Sequence, residues 1–170
     1  MINAVVFSDD GIVFADYPYA GATVQSAPRV PYAAIEEIVL DAAPPEVRTR
    51  REVLFVPATQ REELRREGLK IVRCVDVWSL ILEPFLDTQF SEAEQERTLQ
   101  VLESNGVSRA ECAAWRSEVG ERMLAYNSIL WDWVHLGQCD LLEATLLAGQ
   151  LTAEFYWRTM EIARRGRLRV

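Results

Sequence analysis

Apolar positions recur along this chain with two periods, and the change from one to the other falls near residue 76. Before it, short β-branched and aromatic runs alternate with turn residues. Asn3 to Phe7 and Ile12 to Asp16 flank Ser8-Asp9-Asp10-Gly11, which predicts an antiparallel hairpin with Gly11 at a φ > 0 position. Residues 17–31 contain three prolines and no periodicity, and predict a long loop that either carries function or covers a sheet edge. Tyr32 to Ala42 follows Pro31 and is read as a helix, although Ile35, Ile38, Val39 and Leu40 would also serve a strand; Pro44-Pro45 then breaks the pattern. Glu52 to Val56 predicts a strand, Thr59-x-x-Glu62 a capping box, Gln60 to Glu67 a helix stopped by Gly68, and Leu69 to Val75 a further strand. Together they form a β-α-β unit, and Asp76 would lie at the strand ends, where open α/β sheets bind ligands.

After Asp76 the spacing becomes helical. Asp76 can cap Val77 to Glu83, a run apolar enough to require burial, which Pro84 ends. Ser91-x-x-Glu94 opens a helix that stops at Asn105-Gly106, and Ser108-x-x-Glu111 opens a longer one. Asp140-x-x-Glu143 would cap a short helix, and Thr152 begins the last. The long helix is expected to run to Gly137 and to include YNSILWDWVHLG, which holds two of the five tryptophans and the only histidine. On a helical wheel its apolar residues cover about 240°, which predicts a central position in the core. The narrow polar arc left over carries Glu121, Ser128, Asp132 and His135.

These patterns predict an α+β protein in one composite domain over 1–170. A small N-terminal sheet of about four or five strands, a hairpin plus the β-α-β unit, packs on a C-terminal half of about five helices. A chain of 170 residues with 49% apolar content can bury such a core without staples. Its three cysteines, Cys74, Cys112 and Cys139, lack metal-type spacing and indicate neither a disulfide framework nor a zinc site. No run approaches the length of a membrane span, and the start, MINAVVFSDDG, lacks the basic region of a signal peptide, so the expected location is cytoplasmic.

Charge narrows the partners. The net charge of −8 argues against general affinity for nucleic acid or anionic membranes, yet residues 48–73 and 158–170 each carry +4. Arginines dominate both patches, Arg48, Arg50, Arg51, Arg61, Arg65 and Arg66 in the first; glutamates interleaved with them favour a solvated surface.

Two constellations could carry chemistry. Asp132 and His135, at i and i+3, could act as an oriented general base, with Ser128 and Glu121 on the same arc as binding groups; the competing reading is the polar strip of a mostly buried helix. Asp76, Glu83 and Asp87 could together bind a divalent metal through oxygen, although each also suits a cap or a surface position. No other cofactor is evident. The P-loop, dinucleotide, nucleophile-elbow and zincin motifs are all missing, and a cysteine–histidine nucleophile would need a meeting that only the tertiary structure could create. The expected function is therefore a non-catalytic protein-binding or regulatory module acting on another protein or on itself. The alternative is a small enzyme or metal-dependent protein with His135 and Asp132 at its centre and Asp76, Glu83 or Asp87 nearby, converging in a concave pocket.

Overall fold

The structure, a computed structural model, describes residues 2–86, 88, 90–128 and 135–166. The class is α+β, with strands β1 (Val6–Ser8), β2 (Gly11–Val13), β3 (Arg29–Pro31), β4 (Ile35–Val39), β5 (Glu46–Thr49) and β6 (Val53–Phe55). They form two antiparallel sheets of three, ordered β1-β2-β3 and β4-β5-β6, rather than one sheet of four or five. The described helices are α1 (Arg61–Arg66), α2 (Val77–Leu82), α3 (Glu92–Ser104), α4 (Arg109–Asn127), α5 (Gln138–Leu147) and α6 (Ala153–Ala163). None of them is long and apolar enough to cross a membrane.

Several local expectations change. Tyr32–Ala34 is a single 3-10 turn and Ile35–Val39 a strand, so the β-branched residues of this segment prevail over its helical spacing. β5 begins directly after Pro44-Pro45, a segment not expected to be a strand. Gly11 does not adopt positive φ; a Cβ there would stand 2.4 Å from the Val30 carbonyl oxygen, so its role is to let β3 approach. Thr59 caps nothing, because a 3-10 turn over Ala58–Gln60 precedes α1 and leaves Gln60 at the N-cap. The β-α-β unit is reduced to one parallel bridge, Ile38 to Ile71, which places the segment after α1 against β4 instead of beside β6.

The helical caps agree closely with the sequence. Asp76, Ser91, Ser108 and Thr152 each accept a backbone N–H three residues on, and Glu94 completes its box. α5 differs: its N-cap is Gly137, and Asp140, at the third position, accepts the Gly137 N–H at 2.8 Å.

The long helix ends at Asn127. Asn127 donates its amide to the Phe85 carbonyl at 2.9 Å, and the Ser128 hydroxyl donates to the Ala125 carbonyl, a local side-chain bond to the backbone. α4 is therefore amphipathic, burying Cys112, Trp115, Val119 and Met123 while Leu124 stays 58% exposed. The buried centre is α2, which packs against α3, α4 and α6. Trp78 of α2 is wholly buried, stands edge-on to Trp115 with centroids 4.9 Å apart, and donates its indole N–H to the Thr159 carbonyl. Arg116 of α4 donates to the Leu80 and Ile81 carbonyls, satisfying the C-terminal end of α2.

The long loop is half core. Tyr17, Tyr19, Ala22 and Val24 are buried, with Phe14, Tyr17, Tyr19 and Phe55 forming a chain of edge-to-face rings. Glu52, 1% exposed, ties the loop down by accepting the Thr23 N–H and hydroxyl and the Tyr156 hydroxyl of α6.

Candidate functional site

Two concavities bear on function. The first lies where β4 ends, β5 begins and the chain enters α2. Its walls include Asp41, Glu46, Arg48, Cys74, Asp76 and His135 around a cavity of about 210 Å³. His135 is not helical; it belongs to the short connection leading into α5. Its Nε2 lies 3.2 Å from Asp76 Oδ2, with the two side chains 38% and 34% exposed. The hydrogen bond to Asp76 raises the His135 pKa above its ordinary value, and burial only partly opposes it. A Cβ on Gly137 would fall 2.9 Å from Asp76 Oδ2 and 3.1 Å from His135 Nε2, so glycine lets the backbone pass close behind the pair.

The opposite wall is a buried ion pair. Arg48 reaches Glu46 at 2.8 Å and the Gly166 carbonyl at 3.3 Å. Burial raises the Glu46 pKa against the pull of Arg48; burial likewise works against the Arg48 charge, but Glu46 outweighs it and the guanidinium stays charged. Arg48 is thus structural, not part of a solvated basic face. Asp41 is held by Arg73 at 3.6 Å. Asp140, its pKa raised chiefly by burial, lies near enough to act on His135.

The expected constellations are only partly assembled. Asp76 and His135, in separate constellations of the sequence and neighbours only in the enzyme alternative, meet. Glu83 accepts from Thr98 of α3, while Glu121 on α4 and Ser128 at its C-cap are exposed. Because α4 stops at Asn127, the polar arc from Glu121 to His135 is not one helical strip. Asp132 and Asp87 lie outside the described residues. Among those described, no three His, Cys, Asp or Glu side chains gather in a group able to hold a metal ion. Sequence reasoning missed Cys74, Glu46, Arg48 and Asp140; the available signals were the alternations Cys74-x-Asp76 and Glu46-x-Arg48, which bring side chains two apart to one side of an extended chain.

The second concavity is a groove of about 460 Å³ between the outer part of the long loop, the β3–β4 connection and the β5–β6 turn. Its lining includes Ala27, Pro31, Ala33 and Ala34. Arg29, Arg50 and Arg51 stand at it, with Glu36 the one acid among its described lining residues. The turn presenting Arg50 and Arg51 is firm, since Thr49 Oγ1 accepts the N–H groups of Arg51 and Glu52. Arg29 pairs with Asp10, Arg51 lies 5.3 Å over the Trp157 ring, and Arg50 has no ion-pair partner among the described residues. Comparisons with protein-family models, with curated proteins and with solved structures give no match, so function rests on the geometry of these two sites.

Proposed function

We propose that the protein is a non-catalytic binding module whose arginine-bearing groove receives an acidic, small-residue segment of a partner protein. One observation carries this reading: three arginines line a groove together with alanine and proline, in a chain whose net charge is −8. Guanidinium forks bind carboxylates through two oxygens at once, and alanine and proline leave room for an extended backbone. Arg50 is exposed and without an ion-pair partner among the described residues, so no internal salt bridge need break when it engages a ligand. The Arg51–Trp157 stack supplies the arginine and aromatic anchor typical of interface hot spots.

A fluorescein-labelled peptide alternating Asp or Glu with Ala is the probe, read by anisotropy. Wild-type protein is expected to bind it with an affinity that falls as salt rises, and Arg50→Glu to weaken binding at least about tenfold, as reversal of an interface charge does. His135→Gln should leave binding unchanged. Equal binding by Arg50→Glu, or none by wild type, would remove the groove as the site. A protein that sediments as a monomer and retains no partner from its host above the Arg50→Glu background would remove the binding-module reading altogether.

A further inference from the structure

His135 and Asp76 share their cleft with a thiol. Cys74 stands two residues before Asp76, and all three side chains line the same cavity. We propose that Cys74 is a nucleophilic thiol, served by the His135–Asp76 pair, which a small hydroperoxide entering this cleft oxidises to a sulfenic acid. The inference goes beyond the groove and is independent of it.

A thiol becomes a strong nucleophile when a neighbouring base takes its proton and a third group orients that base. His135 is such a base, and its contact with Asp76 at 3.2 Å fixes the ring. The raised His135 pKa makes the imidazole the better proton acceptor. The other charged groups described around the cleft are matched: Glu46 by Arg48, Asp41 by Arg73, and Asp140 by the Gly137 N–H. Arg48 lies near enough for a charge on Cys74 to act on it favourably. With the carboxylates paired, the described residues at the cleft offer no surplus cation to attract an anion, and a volume of about 210 Å³ admits only a small molecule. A neutral hydroperoxide meets both conditions.

In the step, His135 takes the Sγ proton and the thiolate attacks the terminal peroxide oxygen. The S–O bond forms as the O–O bond breaks, and the departing alkoxide, or hydroxide from hydrogen peroxide, receives the proton back from His135. The sulfur loses two electrons and the peroxide gains them, giving a sulfenic acid and an alcohol or water.

The other two cysteines are built-in references. Cys112 is buried, and burial raises its pKa; burial pushes the Cys139 thiol up to about 12. The whole native protein would be treated with hydrogen peroxide and dimedone, digested, and its three cysteine peptides quantified. Cys74 is expected to label at least about tenfold faster than either reference, and His135→Gln to slow it by about tenfold or more at pH 7, as loss of a general base does. Equal labelling of all three cysteines would overturn the proposal, as would a folded His135→Gln protein labelling Cys74 at the wild-type rate. Should the variant not fold, the wild-type pH profile decides. An assisted thiol levels off well below pH 8, whereas an unassisted one keeps rising to its ordinary pKa of about 8.5; the second behaviour refutes the inference.

Discussion

At Glu52 a single carboxylate joins three parts of the chain. It is 1% exposed and accepts from Thr23 and from Tyr156, so removing it strands buried donors on both a loop and a helix. Glu52→Ala is expected to lower stability by about 3 kcal/mol, the scale for lost hydrogen bonds to a buried charge, measurable by urea unfolding. A variant within experimental error of wild type would mean that the loop is held by its apolar side chains alone. His135 gives a pH signature of definite sign. Its folded pKa is raised above the ordinary 6.5, so its contribution is complete below that value and fades as pH rises through the folded pKa. The stability difference between wild type and His135→Gln should therefore be larger at pH 5.5 than at pH 8.5. The opposite trend would show that the Asp76 contact does not persist in solution. Local patterns put Asp76 and His135 in separate constellations, joined only in the enzyme alternative, because their meeting depends on where two distant segments fold.

Elements obey the sequence where their ends are written in side chains. The Ser91 box is complete on the page of the sequence, and Ser91→Ala should cost about 1 kcal/mol by thermal or urea unfolding. α2 was legible as a buried run, and Trp78→Ala should cost about 3–5 kcal/mol, since it empties the junction of α2, α4 and α6. The same pattern reasoning failed at α4. Continuing the wheel past Asn127 carried the helix through residues 135–137, which are not helical; residues 129–134 lie outside the described ones. It failed again at residues 35–39, where a short run of isoleucine and valine fits either period and only pairing with β5 decides for strand. Gly11→Ala tests the close approach of β3: a Cβ 2.4 Å from the Val30 carbonyl should force the strands apart and destabilise the protein by about 2 kcal/mol.

Across the molecule, α6 is the common support. Its Met160 sulfur accepts from the β6 backbone, its Tyr156 reaches Glu52, and its Thr159 carbonyl receives Trp78. These shared contacts predict that sheets and helices unfold together, with tryptophan fluorescence and far-UV circular dichroism giving coincident urea transitions. Separate midpoints would instead divide the chain near Asp76. Composition and patterning determined the α+β class, the helical caps, the buried α2 run and the uneven charge, because each follows from periods and side-chain preferences acting over a few residues. Only the tertiary structure decided that the sheet is two sheets, that three arginines face one groove, and that Cys74, Asp76 and His135 line one cleft. Those outcomes depend on long-range pairing and packing, which bring together residues that the sequence keeps apart.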